Sequence, residues 1–191
     1  MNPAPAPSID KPALRARLRG LRDAFVIDGA PPIAPPAAYL ARLRRSLCVA
    51  AYVPLGSEAD PAPLVEAALA AGCTLALPRT LSRARPIAFH AFAPGDPLEV
   101  AAFGLRQPLA DAPVATPDIV LVPLVGFDGA CNRLGQGAGH YDRALVGLPG
   151  VYALGIAYSV QQVPALPVDP WDRVLDAIVT ETRLIERNTA S

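Results

Sequence analysis

Strands that alternate with helical segments predict an α/β fold, a single domain with a mostly parallel sheet flanked by helices on both faces. Two further observations point the same way. Residues 119–125 (Ile-Val-Leu-Val-Pro-Leu-Val) form a near-continuous apolar run, as strands buried on both faces of a parallel sheet do. The 191 residues, 52% of them hydrophobic, also suffice for one sizeable core. The ligand site of such a fold is expected beyond the C-terminal ends of its strands. The chain shows no internal repeat and no domain linker. Its expected organisation is a disordered tail over residues 1–9 and one domain over residues 10–187.

Taken in order, the first element is a helix over residues 10 to about 25. Leu14, Leu18, Leu21 and Phe25 recur at helical spacing, Asp10 is available as N-cap and Pro12 suits the first turn. At roughly 100° per residue, Lys11, Arg15, Arg19 and Arg22 fall within about 80° of one another beside that stripe. For Arg19 and Arg22 a solvated face is the preferred reading. A loop rich in Pro, Gly and Ala follows over residues 28–36, then a short helix over 37–46. Next come a strand over 48–53, a helix over 61–71 with Leu64, Val65, Ala68 and Leu69 inward, and a strand over 74–77. Residues 86–93 read as a strand, with His90 an ordinary member of it, and 94–117 as mostly loop. After the apolar strand 119–125 a glycine-rich turn over 135–139 leads into a helix from His140 to Val146, and strands over 151–157 and 176–180 complete the sheet.

Composition excludes several classes. Seventeen basic and seventeen acidic residues cancel, so bulk charge points to neither nucleic acid nor an acidic membrane surface. No uncharged apolar run approaches the ~20 residues of a membrane-spanning helix. The N-terminus lacks the basic and apolar regions of a signal peptide and the arginines of a transit peptide. Cys48, Cys73 and Cys131 are odd in number and far apart, against both a disulfide framework and a structural zinc site. The cytoplasm is the expected compartment, and Lys11 is the only lysine.

The segment from Asn132 to Arg143 (Asn-Arg-Leu-Gly-Gln-Gly-Ala-Gly-His-Tyr-Asp-Arg) carries the strongest chemical signal. Three glycines at alternating positions between a buried strand and a helix leave backbone N–H groups to point at phosphate oxygens. The glycines alone serve equally for a tight connection; Arg133, Arg143 and Asp142 beside them favour a nucleotide phosphate with a metal ion. A dinucleotide fingerprint needs G-x-G-x-x-G and a carboxylate at the end of the next strand, and neither is present; a P-loop needs G-K-[ST].

These residues, with Lys11-x-x-x-Arg15, the run Tyr52-Val53-Pro54-Leu55-Gly56-Ser57-Glu58-Ala59-Asp60, Leu77-Pro78-Arg79, Phe103-Gly104-Leu105 with Pro108, and the stretch from Leu166-Pro167 to Asp176-Ala177-Ile178-Val179-Thr180-Glu181, resemble the 5-formyltetrahydrofolate cyclo-ligase family. The resemblance covers nearly everything after the tail, and its order and spacing are more specific than any one piece. It implies an ATP- and Mg2+-dependent closure of 5-formyltetrahydrofolate to 5,10-methenyltetrahydrofolate, releasing ADP and phosphate after phosphorylation of the formyl oxygen. By resemblance Lys11 and Arg15 hold ATP phosphates, and Arg133, Leu134, Gly135, Gln136, Gly137, Ala138, Gly139, His140 and Tyr141 form the nucleotide loop. Lys11, Arg133 and Tyr141 are the implied catalytic residues. Val53 and Glu58, with residues 136–140, meet the folate; a carboxylate such as Glu58 accepts paired hydrogen bonds from a pterin N–H and amino group. Asp142 and Asp172 are the implied Mg2+ ligands. His140, Gln136 and Ala138 depart from the family's usual residues, and a methyl at 138 disfavours a positive φ. A monomer with no nucleic-acid or membrane partner is expected. A non-catalytic folate- or nucleotide-binding regulator and a sugar-phosphate isomerase-like enzyme are the alternative readings of the same layout.

Overall fold

A computed structural model describes residues 10–80, 82 and 86–188. The expected tail over residues 1–9 lies outside them. The chain runs α1 (Lys11–Ile27), α2 (Ala37–Leu40), β1 (Cys48–Ala50), α3 (Ala62–Ala70), β2 (Thr74–Arg79), β3 (Ala88–Phe92), β4 (Leu98–Val100), β5 (Arg106–Pro108), β6 (Ile119–Pro123), β7 (Gly126–Phe127), β8 (Arg133–Leu134), α4 (His140–Val146), β9 (Tyr152–Ile156), β10 (Ala177–Val179) and β11 (Leu184–Glu186). Seven strands form one sheet in the order β11-β10-β9-β6-β1-β2-β3. The five central strands are parallel, as expected, and the antiparallel strands β3 and β11 close its two edges.

Alternation along the strands builds a core on each face. Val49, Leu75, Ile119, Leu121, Leu154 and Ile156 point to one side, under Tyr39 of α2, Leu64 and Ala68 of α3 and Phe25 of α1. Ala50, Ala76, Val120, Val122, Ala153 and Ile178 point to the other, under Phe127 and the α4 residues Ala144 and Leu145. Strand β6 is buried on both faces, as its unbroken apolar run requires.

Several local expectations are corrected. The second helix stops at Leu40 and does not reach residue 46; the chain turns there, and Ser46 takes a positive φ of 74°. The segment 94–117 contains the hairpin β4–β5, and β11 is an additional edge strand. Strands of three residues are too short to carry a periodic signal. In α3, Leu64 and Ala68 are buried whereas Leu69 is 38% exposed. In α1, Leu21 is 45% exposed while Arg22, expected on a solvated face, is 5% exposed. The buried face centres on Leu18 and Arg22, so the helix is rolled by roughly 50° from the all-leucine stripe, toward its basic ridge. Gly126 permits this seating. A Cβ there would stand 2.3 Å from Cδ1 of Leu18, which packs with Val125, Leu134, Val163 and Leu166. His90 is buried in β3, its Nδ1 2.6 Å from the carbonyl of Ala112, an ordinary strand residue as expected.

Candidate functional site

Strand order reverses direction at β1. The chain steps from β1 to β2 on one side, then returns to place β6 on the other. Connections leaving two parallel strands at such a point diverge and open a crevice beyond their C-terminal ends. The residues after β1 (51–60) and those after β6 (124–140) border it, and α1 lies against both through the bonds described next.

Arg15 Nε donates to the Gly135 carbonyl at 2.8 Å, which fastens the second turn of α1 to the glycine-rich loop. One turn further along, Arg19 donates to Oε1 of Gln136. Gln136 passes its amide N–H on to Glu58 Oε1 at 3.1 Å, so a single side chain joins α1, the loop and the turn after β1. The loop is shaped by positive φ at Gly137 (105°) and Gly139 (63°), while Ala138 is not among the positive-φ residues and its methyl brings no strain there. The Gly137 backbone lies close under Arg15, since a Cβ at that position would be 3.5 Å from the guanidinium carbon. Leu134 is 3% exposed and serves the core, leaving only its backbone to the loop. Arg143 Nη2 and His140 Nδ1 lie 3.3 Å apart across the first turn of α4.

The start of α1 meets the segment before β10. Lys11 Nζ donates to Asp169 at 2.6 Å and to Asp172 at 3.4 Å, and Asp172 also accepts the Asp169 backbone N–H at 2.9 Å. Partial burial alone would lower the Lys11 pKa; the two carboxylates outweigh it and hold it above the ordinary lysine value. Arg133, whose side chain is 4% exposed, donates to Asp142 Oδ1 at 2.6 Å and to the Arg173 carbonyl at 2.5 Å. The Arg173 N–H in turn donates to the same Asp142 oxygen at 3.1 Å. Residues 172 and 173 therefore bring the two aspartates expected to hold a metal to either side of one peptide.

On the β1 side, the Glu58 carboxylate closes its own turn: Leu55 N–H donates to Oε2 at 3.1 Å and Glu58 N–H to the Leu55 carbonyl at 3.3 Å. It does not cap α3; Asp60 accepts the Ala62 N–H instead. Tyr52 is buried beneath this turn and donates to the Ala59 carbonyl. Burial first, and then the Glu58 charge, push the Tyr52 and Tyr141 phenols well up, so both are neutral O–H groups at physiological pH. Val53 is partly buried in the strand exit. Trp171, next to Asp172, is 70% exposed and is no core residue.

Hydrogen bonds therefore gather the expected site residues into two connected groups on α1 and the loop: Lys11 with Asp172, whose neighbour Arg173 meets Asp142 and Arg133, and Arg15 with Gly135, whose neighbour Gln136 meets Glu58. Among the described residues no group of three His, Cys, Asp or Glu side chains is arranged to hold a metal ion. Two carboxylates still suit Mg2+, which keeps much of its water and completes its shell with substrate phosphates. Sequence reasoning missed Asp169, Arg173 and the buried role of Arg22. An Asp directly before Pro170, three residues from Asp172, was the one available signal for the first; Arg173 acts through its backbone and leaves no signal in its side chain.

The chain matches the profile of the 5-formyltetrahydrofolate cyclo-ligase family over residues 8–181. The 5-formyltetrahydrofolate cyclo-ligase of Escherichia coli (strain K12) is 32% identical over 145 residues, spanning 72% of this chain and 80% of that protein. The enzyme of the same name from Mycolicibacterium smegmatis is 31% identical over 148 residues, spanning 73% and 75%. The NMR structure of Aquifex aeolicus 5,10-methenyltetrahydrofolate synthetase superimposes with a TM-score of 0.67 at 28% identity, covering 95% of this chain and 94% of that one. With a family profile matched over residues 8–181 and a relative 32% identical across 72% of the chain, the protein belongs to the 5-formyltetrahydrofolate cyclo-ligase family.

Proposed function

We propose that this chain uses ATP and Mg2+ to close 5-formyltetrahydrofolate to 5,10-methenyltetrahydrofolate, releasing ADP and phosphate, as a cytoplasmic monomer. The observation that carries the reading is the contact of one loop with both halves of the crevice: Gly135 with Arg15 of α1, and Gln136 with Glu58. A triphosphate bound against residues 133–141 is then next to Lys11 and Arg15, and a pterin bound on Glu58 presents its formyl group toward the same loop.

Phosphoryl transfer depends on positioning and on charge neutralisation, and no protein nucleophile is needed. Lys11 and Arg15, one turn apart, bring two positive charges to the phosphates, with Arg133 below them. Asp142 and Asp172 would hold Mg2+, a hard ion matched by their oxygens, and when bound it neutralises phosphate charge. Tyr141, kept neutral, donates rather than accepts a proton. The formyl oxygen forms a bond to the γ-phosphorus as the bond to ADP breaks. N10 then attacks the activated carbon, phosphate departs with the former formyl oxygen, and the N10 proton is lost.

The test is direct. Protein mixed with 5-formyltetrahydrofolate and Mg-ATP is expected to generate the methenyl chromophore in the near ultraviolet with stoichiometric ADP. Folded protein that binds both substrates and yields no chromophore refutes the reading.

A further inference from the structure

Arg22 breaks a local rule. Its side chain is 5% exposed, yet it makes no ion pair among the described residues, and its Nη1 is buried without any hydrogen-bond partner. Burying a guanidinium without a carboxylate is costly, and an apolar residue of the same length would fill the space without that cost. The one directed bond Arg22 makes runs from Nε to Ser57 Oγ at 2.9 Å, and Ser57 passes its own proton to Asp23 Oδ1 on the same helix. Ser57 lies between Gly56, which takes a φ of +61°, and Glu58. The turn it belongs to is closed within itself by two hydrogen bonds between Leu55 and Glu58, and from outside it receives Gln136 at Glu58 Oε1 and Tyr52 at the Ala59 carbonyl, so Ser57 is its direct tie to α1.

We propose that Arg22 is a positioning residue for the Glu58 carboxylate: it pins Ser57 to α1 and so fixes the height and orientation of the turn that presents Glu58 to the pterin. The pterin role of Glu58 rests on the function proposed above; the strut itself does not. Lys11 and Arg22 stand eleven residues apart on α1, roughly 16 Å along the axis. The helix thus ties the phosphate end of the crevice to the pterin end at a fixed spacing, and Arg22 is the far anchor.

Four variants test this. Arg22→Met and Ser57→Ala are each expected to raise the KM for 5-formyltetrahydrofolate about tenfold while leaving the KM for ATP unchanged. Arg22→Met should melt no earlier than wild type, because it removes a buried unpaired charge. Arg22→Gln, which keeps a donor for Ser57 without the charge, should restore most of the folate KM. The double variant Arg22→Met/Ser57→Ala should be no worse than the poorer single, as two parts of one strut are. Unchanged folate KM in the single variants, losses that add in the double, or an early melt of Arg22→Met with both KM values rising together overturns the proposal. Amide exchange at Leu55 and Glu58, faster in Ser57→Ala and in Arg22→Met than in wild type, reads the strut without substrate. A wild-type protein that makes no methenyl product therefore counts against the proposed function alone, and unaltered exchange in both variants counts against the strut alone.

Discussion

The two ends of α1 hold positive charge in opposite ways. Lys11, 24% exposed at its side chain, sits between Asp169 and Asp172, themselves 43% and 24% exposed. Arg22 is buried and, among the described residues, has no carboxylate partner and gives its one directed bond to a hydroxyl. A partly solvated pair contributes less to stability than a buried one and can exchange partners, so the Lys11 ammonium can leave its aspartates for a phosphate. A buried guanidinium bonded to a neutral group cannot move without disturbing the core. One end of the helix is built to change partners on binding and the other to stay where it is.

Arg133 is the third combination, buried and paired, and its removal is expected to have the largest effect. Arg133→Ala leaves the Arg173 carbonyl without its side-chain donor and Asp142 without its cation, with only the Arg173 N–H still donating to it. It should cost about 3 kcal/mol of stability in urea unfolding and lower kcat/KM about a thousandfold. If activity collapses while stability holds, Asp142 is compensated by water and the pair is functional only.

Lys11→Ala tests the exchangeable end. Stability should change by less than ~1 kcal/mol, while the KM for ATP rises roughly tenfold and the folate KM stays put. An unchanged KM for ATP would show that the ammonium never leaves Asp169 and Asp172, and the contrast between the two ends would then be structural only.

Alkaline pH separates burial from charge. Burial pushes the Tyr39, Tyr52 and Tyr141 phenols up, so above pH ~10 the unfolded chain loses protons that the folded chain keeps. Stability from each tyrosine is fully present below that pH and is lost as pH rises toward the folded value, by about 1.4 kcal/mol per unit. Lys11 acts in the same direction from its unfolded value upward, since its folded pKa is also raised. Tyr39 is fully buried in the core and donates to the Leu64 carbonyl at 3.0 Å. Tyr39→Phe should remove one tyrosine's share of the slope between about pH 10 and 11 and leave both KM values at neutral pH alone.

These contrasts also mark what the sequence disclosed. The parallel centre was legible because β1, β6, β9 and β10 are apolar runs, and β6 is buried on both faces. The ridge of Lys11, Arg15 and Arg19 was legible from helical spacing alone. The roll of α1 was not. It depends on Gly126 admitting Leu18 and on Ser57 accepting from Arg22, contacts made across more than thirty residues of chain, and a leucine stripe is by itself a sound guide to the buried face. Asp142 and Asp172 were read through resemblance, whereas Asp169 became visible only when Lys11 was seen bonded to it. The short edge strands, held by a few ladder bonds, had no pattern to detect.

The smallest expected effect concerns Gln136, which spans the two halves of the comparison. Its amide accepts from Arg19 and donates to Glu58 Oε1, so in the ligand-free protein it covers one of the oxygens a pterin would use. Both contacts are exposed, and a single exposed hydrogen bond is worth on the order of 0.5 kcal/mol net. Displacing it therefore weakens folate binding only slightly, and Gln136→Ala should lower the folate KM about twofold. The same change releases Arg19 from the amide, so the KM for ATP should fall or hold, because a freed guanidinium one turn beyond Arg15 has no reason to repel a phosphate. A rise in the folate KM would mean that Gln136 touches the substrate itself, and the bridge would then be a binding contact instead of a cover.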